Sequence, residues 1–187
     1  MRKGLDKEKV LQTAIRLVDQ LGMEKVTLAL LAKELGVRSP SLYNHFRGLP
    51  EIRREIALYS LREMEEMLLR SLVGKSGEEA IREFCHVYYE YSQKHPGLYQ
   101  ASLIVYEDPE VQQAGDRIIE LLLELLQPFK MEETQCIHII RGLRSIIHGF
   151  STLKQQGAFG LDVQTDDSFS FSINLYLRSI KKANSES

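Results

Sequence analysis

The sequence predicts an all-α protein, and three observations lead there. Apolar residues recur at intervals of three and four along nearly the whole 187-residue chain. No stretch alternates apolar and polar residues for long enough to make a strand. Glycines, and a Ser-Pro pair, fall where the periodic runs stop or begin, as helix ends require.

Taken in order, Val10, Leu11, Ala14, Ile15, Val18 and Leu21 form the stripe of a first helix, and Gly22 ends it. Thr27 stands where a cap is needed for a second helix with Leu28, Leu31, Ala32 and Leu35, stopped by Gly36. Ser39 followed by Pro40 reads as the N-cap and first residue of a short third helix. A long helix is expected from near Pro50 through Ile56, Leu61, Met64 and Leu68 to about Leu72. "VGKSGEE" interrupts the chain, with Ser76 the expected cap of a helix reaching Lys94. His95-Pro96-Gly97 is the next break. Later helices are expected over 109–127, 132–156 and 167–182, separated by "QPFKM" and "GAFGLDVQTDD". The tail "KKANSES" is expected to fray.

Composition narrows the class of protein. Hydrophobic residues make up 43% of the chain, enough for a packed core. Cys85 and Cys136 are too few for a disulfide framework and fit reduced thiols in a cytosol. Charged residues follow Met1 at once, which does not read as a secretory signal. The most apolar stretch, "RIIELLLELLQPF", is interrupted by Glu120 and Glu124, whereas a membrane span needs roughly 20 nearly uninterrupted apolar residues. A soluble, cytoplasmic protein with no membrane partner is expected. The net charge of -2 hides an asymmetry. Residues 1–50 hold nine Lys and Arg against five Asp and Glu, a net of +4, and the remainder carries -6. A basic head on an acidic body points the head at a polyanion.

The stretch "SPSLYNHF", residues 39–46, is chemically unusual for a core or plain surface helix. Read as an α-helix at about 100° per residue, Leu42 and Phe46 lie about 40° apart and define a buried stripe. Pro40 and Asn44 then point away from it, Ser41 and Tyr43 flank the outward face, and His45 sits on the shoulder. Short polar side chains on a helix of this kind can reach base edges in a DNA major groove. Asn pairs with adenine, Ser serves either base, and the Pro40 ring suits a thymine methyl. "GVRS" joins this helix to the previous one as a helix-turn-helix requires. The residues alone leave a second possibility, a solvated polar helix with no partner.

The segment "TLALLAKELGVRSPSLYNHFRG", preceded by "LGMEKV", resembles the DNA-binding segment of TetR-family transcriptional regulators. The Thr-capped helix, "LAKELGV", the Ser-Pro-Ser start, "LYNHF" and the basic residue after Phe46 carry the likeness. It implies a three-helix, helix-turn-helix DNA-binding domain over 1–49 and a larger helical ligand-binding and dimerisation domain over 50–187. It also implies that Thr27, Arg38, Ser39, Ser41, Tyr43, Asn44, His45 and Arg47 meet phosphates or bases. One position departs from the family: the lysine that usually opens the fourth helix is replaced by Leu49, followed by Pro50. Further on, "YYEYSQKHPGLYQASL" and "GLRSIIHGFSTLKQQGAFG" resemble the WHG-type C-terminal domain of some TetR regulators. The Trp usual before the His-Gly pair is missing, and Arg144 lies in that neighbourhood.

Other constellations carry less. His86, His95, His138 and His148 with Cys85 and Cys136 lack the spacing of zinc ligands, so no metal is expected. No nucleophile elbow, phosphate-binding glycine loop or H-E-x-x-H occurs; neither an enzyme nor a cofactor is expected. Tyr59, Met67, Phe84, Tyr88, Tyr91, Ile104, Arg144 and His148 are the candidates to line a ligand cavity. Phe84, Tyr88 and Tyr91 equally describe an ordinary core stripe, although a buried tyrosine hydroxyl wants a partner. Arg141 and Arg144 suit either an anionic ligand or surface ion pairs. The last two helices are apolar on more than one side, so something must cover them. In the resembled family two subunits pair there as a four-helix bundle, which sets two heads about 34 Å apart on a palindrome. The reading is a homodimeric transcriptional regulator, a repressor that binds double-stranded DNA at a palindromic operator and releases it on binding an unknown small-molecule effector, with the helix from 50 to 72 as the lever. An activator is a close rival, and a helical carrier or interaction module without sequence-specific DNA binding is the alternative.

Overall fold

The computed structural model describes residues 5–185, with side chains described up to 180. Its α-helices are α1 (Lys7–Leu21), α2 (Leu28–Leu35), α3 (Leu49–Leu72), α4 (Gly77–Lys94), α5 (Pro96–Ser102), α6 (Pro109–Leu126), α7 (Glu133–Gln155) and α8 (Thr165–Ser185). Short 3-10 helices cover Met23–Lys25, Ser39–Asn44 and Gln127–Phe129. No strand occurs among the described residues.

The ends follow local chemistry. Asp6 accepts the Lys9 amide at 2.7 Å and caps α1. Thr27 Oγ1 accepts the Leu30 amide at 3.2 Å, satisfying one of the donors that a helix start leaves free. Gly36 closes α2 at φ 67°, in the left-handed region where a side chain is strained, and its N–H donates to the carbonyls of Ala32 and Lys33.

Two elements differ from the sequence-based expectation. The third helix is not α-helical: Ser39–Asn44 is a 3-10 helix, with the Ser41 amide bonded to the Arg38 carbonyl at 2.9 Å. Pro40 stands in the first turn, where a backbone N–H would have no helical partner, so its ring is tolerated there. The N-cap of this helix is Arg38 with extended backbone rather than Ser39, and no side chain caps it. The break at His95-Pro96-Gly97 also turns out to start a helix, α5, with His95 at the N-cap and Pro96 in the first turn. Seven residues are too few for apolar periodicity to announce them.

The chain forms two compact units. One takes in the chain up to Glu63 together with His95–Gly115, and the other comprises Met64–Lys94 and the chain from Asp116 onward. The expected division after residue 49 thus falls at the start of α3, whose first half belongs to the first unit. Lys7 on α1 lies 3.8 Å from both Glu51 and Glu55 of α3, and Arg53 donates to the Met23 carbonyl at 3.4 Å.

The first unit buries Val10, Ala14 and Val18 of α1, Leu31 of α2, Leu42, Phe46, and Ile52 and Ile56 of α3. The start of α5 lies against α1 so closely that a Cβ on Gly97 would fall 1.9 Å from the Val18 carbonyl oxygen. Ser60 donates to the Leu98 carbonyl at 2.7 Å, and His95 Nδ1 meets Asp19 at 2.8 Å. In the second unit α4 packs on α7 and α8. Ser92 and Ser151 share a buried hydrogen bond of 2.6 Å, where small side chains let α4 and α7 approach. Tyr89 stacks on Phe169 with ring centroids 4.1 Å apart, and its hydroxyl donates to Asp166 at 3.0 Å.

Candidate nucleic-acid interface

The 3-10 helix sorts its residues into three rows, because three residues make one turn. Ser39 and Leu42 share the row turned to the core, Pro40 and Tyr43 the second, and Ser41 and Asn44 the third. Leu42 is 1% exposed and Phe46 just beyond is 2% exposed, whereas Tyr43 is 58% exposed. Pro40 and Asn44 are exposed as well, and Ser39, Ser41 and His45 are half-buried. The outward direction of Pro40, Tyr43 and Asn44 therefore matches the sequence-based expectation, although the helix is wound more tightly.

The rows are held from below. Leu42 and Phe46 anchor the segment, and the Phe46 amide bonds to the Leu42 carbonyl at 3.0 Å. Lys7 of α1 sits over the Phe46 ring, 5.1 Å from its centroid. Arg16 of α1 pairs with Glu34 of α2 at 2.5 Å. A rigid, buried underside leaves the side chains of the two outer rows as a preset array.

Around this array the charges divide into used and unused. Lys7 and Arg16 are engaged with carboxylates. Lys25, Lys33, Arg38 and Arg47 are exposed, and none has a side-chain ion-pair partner among the described residues. Exposed cations without internal partners are what a phosphate backbone recruits. Thr27 is exposed while its hydroxyl serves the cap of α2. At the opening of α3, Leu49 is half-buried, and the backbone N–H of Arg47 donates to the Glu51 carboxylate at 2.6 Å.

The ligand candidates fall in both units: Tyr59 and Ile104 in the first, and Met67, Phe84, Tyr88, Tyr91, Arg144 and His148 in the second. Tyr59 donates to Glu63 at 3.0 Å, and burial, helped by that carboxylate, pushes its hydroxyl up to about 12. Ile104 is 40% exposed. Phe84, Tyr88 and Tyr91 are core residues, the first two with ring centroids 6.0 Å apart. Arg144 is exposed, yet it hydrogen-bonds the side chain of buried Tyr88, whose hydroxyl burial pushes upward. An open groove of about 240 Å³ is lined by other residues: Met131 just before α7, and Gln135, His138, Ile139, Tyr176, Ser179 and Ile180 along α7 and α8.

Comparison with known proteins decides the family. Residues 10–56 match the profile of bacterial regulatory proteins of the tetR family, and residues 81–176 match that of the tetracyclin repressor-like C-terminal domain. The HTH-type transcriptional regulator YobS of Bacillus subtilis (strain 168) is 36% identical over 178 residues, 94% of this chain and 93% of YobS. The chain belongs to the TetR family of transcriptional regulators.

Solved structures agree on the fold. A protein from Rhodococcus sp. RHA1 superposes with a TM-score of 0.81 at 16% identity, over 95% of this chain and 96% of that one. TetR from Acinetobacter baumannii AYE in complex with minocycline superposes with a TM-score of 0.71 at 19% identity, over 97% and 99%. Both family matches contain the segments that carried the resemblance: the helix-turn-helix lies within 10–56, and the two C-terminal stretches begin within 81–176. No helix among the described residues of this TetR-family chain is long and apolar enough to cross a membrane. The α7–α8 groove was not anticipated from sequence, because its lining comes from two helices whose relative placement no local pattern encodes.

Proposed function

We propose that this TetR-family regulator is a homodimeric, ligand-responsive repressor acting in the cytoplasm. It reads a palindromic operator with the two exposed rows of residues 39–44. Pro40, Ser41, Tyr43 and Asn44 meet base edges, with Ser39 and His45 at the margin. Thr27, Arg38 and Arg47 contact phosphates, which position the rows in the groove without specifying sequence. The functional boundary stays at residue 49, where the DNA-reading segment ends and α3 begins.

One observation carries this reading. The segment buries only Leu42 and Phe46 and leaves Pro40, Tyr43 and Asn44 exposed, and the exposed Arg38 and Arg47 that flank it have no ion-pair partner among the described residues. A carrier or scaffold has no use for such an array. A single head would contact one half-site, so affinity and specificity favour two, set about 34 Å apart.

Effector binding in the second unit, near Met67, Phe84, Tyr88, Tyr91, Arg144 and His148, shifts the population to a state that no longer matches successive grooves. The minocycline complex of TetR from Acinetobacter baumannii AYE is the precedent for a small molecule on this fold. The test is selection of bound sequences from a random DNA pool, followed by affinity measurements with Asn44→Ala and Tyr43→Ala. Enrichment of a palindrome that both variants fail to hold supports the reading. Operator affinity unchanged in both variants defeats it.

A further inference from the structure

Arg53 of α3 is a half-buried guanidinium without a counter-charge. Its Nε–H is buried and has no hydrogen-bond partner among the described residues, and its Nη2 reaches only the Met23 carbonyl, at a long 3.4 Å. It forms no ion pair among the described residues. Acids of α3 and of the start of α6 go to its neighbour instead: Arg54 takes Glu55, Asp108 and Glu110. A charge drawn partly out of water and left unpaired opposes folding, and a buried donor without an acceptor calls for a ligand or an ion.

A second donor stands beside it. Tyr106 is half-buried in the loop over 103–108, and its hydroxyl makes no hydrogen bond among the described residues. Burial pushes that hydroxyl up and the Arg53 charge draws it back, so the phenol lies within reach of the guanidinium and keeps its proton at neutral pH. The loop is fixed on both sides of Tyr106. Gln112 donates to the Tyr106 carbonyl at 3.0 Å, and Arg54 holds Asp108. Glu107, next in the chain, is exposed and pairs with no cation among the described residues, so the site has not recruited it. Leu103, Ile104 and Val105 precede Tyr106 in the same loop, all exposed, Val105 to 90%. Arg53, Tyr106 and this apolar run all belong to the first unit.

We propose that Arg53 and Tyr106 bind the carboxylate of a small apolar acid, whose body lies on Leu103, Ile104 and Val105. The planar guanidinium presents paired donors that match a carboxylate, and the phenol adds another. Bare phosphate would satisfy the donors but leave the apolar side chains uncovered. The ligand supplies the counter-charge that the fold withholds from Arg53, and it ties the loop to α3. This site is separate from the effector residues proposed in the second unit.

The probe is octanoate, titrated calorimetrically into the full-length wild type, Arg53→Met and Tyr106→Phe, with acetate and inorganic phosphate as comparisons. Octanoate is expected to bind the wild type about tenfold or more tighter than acetate or phosphate. Arg53→Met is expected to weaken octanoate about tenfold or more and Tyr106→Phe about threefold, with helix content by circular dichroism unchanged in both. Octanoate should raise the melting temperature of the wild type and leave that of Arg53→Met where it is. No binding of octanoate to the wild type, equal affinity in all three proteins, or acetate as tight as octanoate overturns the proposal. An Arg53→Met variant that keeps its octanoate affinity but lowers the slope of log DNA affinity against log salt by about one assigns the guanidinium to a DNA phosphate, and overturns it too.

Discussion

Arg54 on α3 donates to both carboxylate oxygens of Asp108, just before α6, at 2.8 and 2.9 Å. The same guanidinium reaches Glu110 at 2.5 Å, and Asp108 also accepts the amides of Glu110 and Val111, so one carboxylate both caps α6 and anchors it. Hydrogen bonds to Arg54 hold the Asp108 and Glu110 carboxyls below their usual range.

Replacing Arg54 by Met removes that anchor. The melting temperature is expected to fall by a few degrees at neutral pH. The two carboxylates bind protons less readily folded than unfolded, so their stabilisation is complete above the ordinary carboxylate range, about pH 4, and fades as acid protonates them. The gap in melting temperature between wild type and Arg54→Met should therefore narrow as the pH falls below about 4. A gap that stays constant into acid would assign the loss to packing instead of charge.

The unpaired cations beside the 3-10 helix make a separate prediction. Arg47→Ala and Lys33→Ala should each weaken operator and nonspecific DNA alike, and each should lower the slope of log affinity against log salt by about one. Asn44→Ala should instead cost about 1–3 kcal/mol on the operator with little change in salt slope. Fluorescence anisotropy titrations across salt concentrations separate the two behaviours. A cationic variant that loses preference for one sequence while keeping its salt slope would reverse the assignment.

Gly97→Ala should be among the more damaging small substitutions in the first unit. The new methyl would meet the Val18 carbonyl oxygen at 1.9 Å and the Asp19 Cα at 2.8 Å, both backbone atoms that cannot rotate aside. Overpacking of this kind costs about 1–3 kcal/mol. Urea denaturation gives the value, and an unchanged midpoint would mean that α5 lifts from α1 freely.

Cys85 and Cys136 should differ in reactivity. Cys85 is fully buried, and burial pushes its thiol up to about 12, which leaves almost no thiolate at neutral pH. Cys136 is 8% exposed, and burial raises its thiol as well. A thiol reagent under native conditions should modify Cys136 slowly and Cys85 only on unfolding. Equal native rates for the two would contradict the packing of α4.

Most of the helices could be read from residue order, and so could the residues that face outward on the third one. Apolar spacing placed α1, α2, α3, α4, α6, α7 and α8, and Gly22, Gly36 and Thr27 marked ends by local backbone chemistry. The α5 helix escaped because seven residues hold too little periodicity, and a Pro-Gly pair signals a break before it signals a start. The sequence reading buries Leu42 and Phe46 on the stripe of an α-helix; both are buried, but the segment is wound as a 3-10 helix.

Residue order by itself determined that this chain is helical and carries a small polar array near its N-terminus, because those properties depend on neighbours within about one turn. Tertiary structure decided which carboxylates claim Arg54, Lys7 and Arg16, and which cations have no ion-pair partner among the described residues. It also decided which helices border the groove beside Tyr176, and that Gly97 must be a glycine. Those outcomes join residues far apart in the chain, such as Arg54 with Asp108 and Val18 with Gly97, and no local pattern records which distant surfaces will meet.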